Sequence, residues 1–309
     1  MSREEEIAFY SFGRLFIDEE EPLYFEYHGE EVKIPYHVEG LAKGVLSDFA
    51  WFLFVDGLPI WTRIESFDGE PLREYSLFHH FALEYQQRYE FYIIFRPISG
   101  NSGDILPVIG SSMLNPDFLP ENRKNNIFGF NHQVISATPI ELKIHIDSNE
   151  FNQLFNSNTI QTPIDEEILE FEKSFKGQDI NFLNSLISFQ RMWKLPSDSM
   201  MSLPYENSLF VNNGLLSFLF LAYGGLGYEQ NIYFYINHEL QEVKSNDALQ
   251  VTLKNGYMLK LPLQIDSKNL PCYSSFYAMS GMTEREASNH DINKSPTLLL
   301  INEEACNEN

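Results

Sequence analysis

Cysteine and positive charge are both scarce in this chain, and each shortage excludes a class of function. Cys272 and Cys306 are the only cysteines in 309 residues, and Cys306 lies in a polar end segment. Two thiols so placed read as neither a disulfide framework nor a zinc site. Lys and Arg number 21 against 44 Asp and Glu, for a net charge of −23. Nucleic-acid binding needs clustered cations facing phosphates, so nucleic acid is not an expected partner. An anionic membrane surface is disfavoured for the same reason. The excess acid reads as solubility and self-repulsion. No apolar run reaches the roughly 18–20 residues of a membrane span. The longest, Phe49 to Val55 and Leu215 to Tyr223, read as buried strands. The start, Met1-Ser2-Arg3-Glu4-Glu5-Glu6, has no apolar stretch of the signal-peptide kind. The expectation is therefore synthesis in the cytoplasm without a signal peptide, compatible with later assembly into a virion or extracellular particle.

Catalytic signatures are missing as well. The chain has no Gly-x-Ser-x-Gly elbow, no Gly-x-x-x-x-Gly-Lys-Ser/Thr loop and no strand-bound Gly-x-Gly-x-x-Gly. Gly100 and Gly103 could form an anion nest, but Asp104 beside them favours a solvated turn. His79-His80 is the one adjacent histidine pair, and neighbours on a strand point to opposite faces. His28, His37, His132 or His145 could ligate a metal only if tertiary structure brought them together, so no metal site and no cofactor are expected. Asp147-Ser148-Asn149-Glu150 is rich in oxygen ligands but lacks the Asp-x-Asp-x-Asp-Gly pattern of a calcium loop, and reads as linker. Glu65, Asp68 and Glu70 fit a turn better than a glycosidase pair, which needs carboxyls about 5–9 Å apart.

What is present is aromatic and repetitive. Phe (26) and Tyr (16) suit strand-rich structure. Ile34-Pro35-Tyr36, a seven-residue gap and Gly44-Val45-Leu46-Ser47 recur as Leu203-Pro204-Tyr205, an eight-residue gap and Gly214-Leu215-Leu216-Ser217. Such an echo points to internal duplication. It is best seen around a candidate hairpin. Leu249, Val251 and Leu253 alternate with polar residues up to Lys254-Asn255-Gly256, and Tyr257, Leu259, Leu261, Leu263 and Ile265 alternate after it. An offset of 168 residues carries Tyr89 onto Tyr257 and matches Phe81, Leu83, Tyr85, Phe91, Ile93 and Phe95 to apolar positions. Pro262 cannot donate to a ladder, which puts its strand at an edge or bulge. Copy one lacks the turn glycine, which implies another turn type there. Tyr36 and Tyr205 read as corner tyrosines, ring in the core and hydroxyl bonded to backbone.

Asp56-Gly57 between apolar residues predicts a tight turn, with Trp51 in the core and Trp61 exposed. Ile140, Leu142, Ile144 and Ile146 alternate with Glu141, Lys143 and His145 and predict a closing strand for the first module. Thr162-Pro163 with Asp165-Glu166-Glu167 predicts a helix start, and a second short helix is expected over 180–193. Thr297 to Ile301 predicts a last strand. The fold expected is mainly β: two tandem, internally duplicated β-sandwich modules of jelly-roll type with a short helical connector. The expected bounds are 1–147 for module one, 148–202 for a linker with the helical insert, and 203–309 for module two with its polar tail.

This pattern favours a non-enzymatic structural or assembly protein, a two-lobed building block of a phage virion, tail or injection apparatus. Protein partners or self-assembly follow from that reading. Tyr92 and Ile94, on the outer face of the first hairpin, and Trp61 are the candidate interface residues. Two alternatives stand beside it. One is a carbohydrate-binding protein using exposed aromatics, and the other is a polysaccharide hydrolase with a carboxylate pair.

Overall fold

The computed structural model describes residues 10–15, 24–41, 43–44, 46–117, 134–148, 154–156, 161–164, 189–194, 208–223, 227, 229–243, 248–254, 256–282 and 292–307. They are mainly strand and form two compact units, each with its own core.

Unit 1 holds β1 (Tyr10–Arg14), β2 (Tyr24–Tyr27), β3 (Val32–Gly40), β4 (Ser47–Val55), β5 (Leu58–Ile60), β6 (Thr62–Glu65), β7 (Pro71–Ser76), β8 (His79–Leu83), β9 (Arg88–Phe95), β10 (Ile105–Leu114), β11 (Val134–Ser136) and β12 (Ile140–Ile144). They make two sheets. One runs β1-β3-β9-β6-β7. The other runs β2-β12-β10-β4-β5, with β11 on β10 and β8 on β4. The layers face each other through aromatic side chains. Phe91 of the first sheet stacks on Phe81 of the second at 5.7 Å and 10°, and Tyr10 stacks on Phe49 at 4.2 Å. Alternation explains why the layers meet there. The register row Ile34–Ile93–Ile64 turns inward and is fully buried. His79 ties the layers at one point, its Nε2 lying 2.9 Å from both the hydroxyl and the carbonyl oxygen of Thr62.

Unit 2 holds β13 (Leu154–Asn156), β14 (Gln161–Pro163), β15 (Phe189–Lys194), β16 (Ser208–Asn212), β17 (Leu215–Tyr223), β18 (Glu229–Ile236), β19 (Glu239–Gln241), β20 (Ala248–Thr252), β21 (Tyr257–Asp266), β22 (Tyr273–Met282), β23 (Asn293–Lys294), β24 (Leu298–Asn302) and the short helix α1 (Glu303–Asn307). All twelve strands join one sheet, along the path β13-β20-β18-β22-β24-β16-β17-β21-β14. Four ladder steps separate β18 from β17, roughly 19 Å along a flat sheet. Yet Phe234 of β18 meets Phe218 and Phe220 of β17 at 5.6 and 5.0 Å. The sheet therefore curls until its halves face each other, enclosing a core of Leu, Ile, Val and Phe.

The candidate hairpins are something else. Leu249, Val251, Leu253, Leu259, Leu261, Leu263 and Ile265 are all buried in one core, as alternation predicts. But β20 pairs with β18 and β13, while β21 pairs with β17 and β14. The connection is an arch between two parts of the curled sheet. In unit 1, β8 pairs with β4 and β9 pairs with β3 and β6, which lie in opposite layers. Alternation specifies which side chains turn inward, and an arch satisfies it as well as a hairpin does. The repeat is not reproduced in the pairing. β21 lies beside β17, whereas their sequence counterparts β9 and β4 are in different sheets.

Several expectations hold. Asp56 and Gly57 both have positive φ, at 51° and 73°, in a two-residue turn joining β4 to β5. Trp51 is fully buried, and β12 and β24 form where alternation put them. Pro262 lies opposite Leu219 of β17, and β14 covers only Tyr257 to Leu259 on the other edge. Copy one turns differently, with Gln86 at φ 63°.

Other expectations fail or fall elsewhere. Thr162 and Pro163 are the last residues of β14, paired with β21, and Asp165-Glu166-Glu167 lie outside the described residues. The last residues of the expected second helix form β15, a strand on β17. The remainder of the helical insert, 165–188, and Tyr205 lie outside the described residues. Cys272 and Cys306 are bonded to each other, Cα atoms 4.6 Å apart, because β24 runs back along β22 and returns the chain end to its start. Tyr36 is buried against Trp51 at 5.3 Å, but its hydroxyl makes no hydrogen bond to backbone. Gly110 accommodates it: a Cβ there would overlap the tyrosine oxygen.

Candidate functional site

The candidate interface residues separate once register is known. Trp61 is the single residue between β5 and β6, where the chain changes layers, and it is 58% exposed. Tyr92 is half-buried, its ring against exposed Phe67 at 4.9 Å. Tyr92 pairs with Glu65, four residues from Trp61, so the two are about 13 Å apart along β6. Ile94 corrects the expectation of outward apolar surface, since it is fully buried. Register places Lys33 and Arg63 on either side of it, on the same outer face. Glu65 then bridges those two cations, at 3.0 Å to Lys33 Nζ and 2.6 Å to Arg63 Nη2, and Arg63 also reaches Glu31 at 3.0 Å. The long side chains lay their apolar stems over Ile94 and keep their charges at the rim. The Lys33 hydrogen bond, with Arg63 adding to it and burial opposing, holds the Glu65 carboxyl below its usual range.

A different surface is the one the structure assembles. Register pairs Ser47 with Leu83 and Glu39 with Arg88, so the β3–β4 loop and the β8–β9 arch meet at one end of the unit 1 sandwich. Gly40 binds the arch directly, donating to Gln87 O at 3.0 Å and accepting from Gln86 N at 2.8 Å. Four large apolar side chains stand out at this tip: Leu41 at 45%, Leu46 at 53%, Tyr85 at 45% and Tyr89 at 44% exposed. Tyr85 and Tyr89 had been expected to face inward by alternation. Tyr85 lies in the arch between the sheets, and Tyr89 is the second residue of β9, paired with Val38 near the end of its ladder. The nearest sequence signal was the Gly44 turn, which has positive φ but says nothing of the arch beside it.

Two histidines also come together. His28 and His145 stack at 4.3 Å and 12°, and Glu26 lies within reach of both. His37 and His79 are elsewhere, and His132 is outside the described residues. Asp147 and Ser148 are engaged within unit 1: Asp147 accepts from Ser102 N at 2.6 Å, and Ser148 donates to Pro97 O. Asn149 and Glu150 lie outside the described residues. Asp104 accepts from Asn101 N at 2.9 Å, closing the turn that contains Gly103 and follows Gly100.

No protein-family model matches the chain, and no curated protein matches it. Solved structures give only faint likenesses. A chaperone–tip adhesion subunit complex of Csu pili from Acinetobacter baumannii aligns at 8% identity and TM-score 0.20, covering 93% of this chain and 98% of that one. The SafA pilin with the SafB chaperone of Salmonella enterica aligns at 9% identity and TM-score 0.23, covering 96% and 97%. Fibronectin(III)-like modules of Clostridium thermocellum CbhA align at 7% identity and TM-score 0.19, covering 90% and 87%. Overlaps this small carry no argument about function. Among the described residues no helix is long and apolar enough to cross a membrane.

Proposed function

We propose that the protein is a non-enzymatic building block of a larger particle, of the virion, tail or injection-apparatus type, and that it meets a protein partner or a second copy through the tip of unit 1. The observation that carries this reading is the cluster of exposed Leu41, Leu46, Tyr85 and Tyr89 at one end of the sandwich. Loops held at the end of a β-sandwich are where such folds present binding residues. Exposed Tyr supplies a large contact area with few side-chain torsions to freeze, and Leu beside it adds apolar area. Unit 2 exposes far less of this kind among its described residues, namely Leu215, Tyr257 and Tyr273. The Cys272–Cys306 disulfide supports a final place outside a reducing compartment, as an assembled particle would provide.

Light scattering across a concentration series tests the reading, with the native source searched for a bound partner. Association that is lost in Leu46→Asp/Tyr85→Asp supports it. A strict monomer at every concentration, with no partner recovered, refutes it. One observation favours a glycan as the alternative ligand: Tyr85 and Tyr89 offer exposed rings, and Gln87 donates to the Tyr89 hydroxyl at 2.8 Å. A glycan array without hits removes that alternative.

A further inference from the structure

We propose that Glu26, His28 and His145 bind one divalent transition-metal ion of the zinc class on the surface of unit 1. The parallel pairing of β2 with β12 builds the site. Register sets Tyr27 beside Ile144, and His145 N continues the ladder to Tyr27 O at 3.0 Å. Glu26, on β2, and His28, the residue just past its end, therefore lie on the same side as His145.

The separations suit a metal. His28 Nε2 is 3.3 Å from Glu26 Oε2, and His145 Nε2 is 3.6 Å from Glu26 Oε1. The three ligand atoms all lie within 4.8 Å of one another. Tetrahedral zinc with bonds of about 2.0–2.2 Å needs ligand–ligand edges of about 3.3–3.5 Å, close to the two separations from Glu26. The imidazoles stack at 4.3 Å and 12°, so joint ligation requires an exposed ring to rotate out of the stack until both Nε2 lone pairs point at the ion.

The backbone behind the ligands is fixed. Gly103 N donates to Ile144 O at 2.7 Å, Ile144 N donates to Asp104 O at 2.8 Å, and Ser102 Oγ donates to His145 O at 3.0 Å. Gly29, at φ 96°, bends the chain directly after His28, and all three ligands are exposed. The one cation in register with Glu26, Lys143, has its ammonium over the Tyr24 ring at 3.1 Å.

Donor chemistry selects the ion. Two imidazoles and one carboxylate suit Zn²⁺, Ni²⁺ or Cu²⁺. Calcium needs six or more oxygens and magnesium an oxygen-rich octahedron, and neither is on offer. Three protein ligands leave a coordination position for water or for a donor from outside the chain. The bound ion would clip the edge strand β2 to β12. This inference is independent of the tip proposed above, which lies on other loops.

Calorimetry of the chelator-treated full chain with ZnCl₂ tests it, with Co²⁺ spectra reporting coordination. The expected result is one equivalent bound per chain, Co²⁺ bands of a low-coordinate nitrogen–oxygen site, and at least a tenfold loss of affinity in His28→Ala, His145→Ala and Glu26→Gln. His80→Ala, outside the cluster, should bind as wild type. All three ligands are exposed, so the variants should keep the fold. In the unmodified protein, Zn²⁺ should also shift the imidazole resonances of His28 and His145 before any other histidine. Absent saturable binding, binding that survives both alanine variants, or equal loss in His80→Ala would overturn the proposal.

Discussion

His79 makes the stability of unit 1 depend on acid in a calculable way. Its ring is 2% exposed, and Nε2 faces two oxygens of Thr62 on the opposite layer. Burial, the largest cause, pushes its pKa down to about 4; the Thr62 backbone bond opposes this and Arg73 assists it. In the unfolded chain the imidazole returns to about 6.5. The folded value is the lower one, so the unfolded chain takes up the proton first as pH falls. The stability contribution is complete above about pH 6.5 and is lost progressively as pH drops toward about 4. A gap of about 2.5 units at about 1.4 kcal/mol each gives a loss of about 3 kcal/mol. That is a large share of a typical domain's margin of about 5–15 kcal/mol. Urea unfolding at about pH 7 and about pH 4.5, on wild type and His79→Gln, measures it. Glutamine keeps an N–H toward Thr62 but cannot titrate. The wild type should lose about 2–3 kcal/mol more than the variant between the two conditions. Parallel losses, or an NMR midpoint for His79 at an ordinary imidazole value, would refute the reasoning.

Two further perturbations follow from the packing. Reducing the Cys272–Cys306 bond, which spans 34 residues, should cost up to about 4 kcal/mol by the loop-entropy estimate. A thiol reductant should lower the unfolding midpoint of wild type and leave Cys306→Ser unmoved. Gly110→Ala should cost about 1–3 kcal/mol, because the new methyl and the Tyr36 hydroxyl claim the same space. Adding Tyr36→Phe should recover part of that loss in denaturant titrations. Tyr36→Phe alone should cost little, up to about 1 kcal/mol, since the only polar group beside the buried hydroxyl is the Trp51 indole and their contact is too poorly aligned for a full hydrogen bond.

Legibility differed from residue to residue for physical reasons. The inward set of β9, Phe91, Ile93 and Phe95, and that of β21 follow from period two, which any strand obeys whatever its neighbours. The outer face of β9 did not follow. Ile94 looks apolar and exposed in one dimension, and only its register against Lys33 and Arg63 shows that two cations and Glu65 roof it over. The tip was hidden likewise. Tyr85 and Tyr89 continue the alternation but are exposed, Tyr85 in the arch and Tyr89 near the start of β9 after it. Whether any of the histidines meet depends on tertiary convergence, which sequence does not resolve. His28 and His145 are brought together by a parallel pairing, which no short turn can announce.

The sequence by itself determined the class of structure, the tight turn at Asp56-Gly57, the buried Trp51 and exposed Trp61, and most of the side chains that fill both cores. These follow from local alternation and backbone preference. Tertiary structure alone decided which strands pair, that the two apparent hairpins are arches, that Cys272 meets Cys306, and that Glu26, His28 and His145 share a face. Each of those depends on which distant strand lies alongside. Alternation is indifferent to that choice, because many pairings bury the same residues equally well.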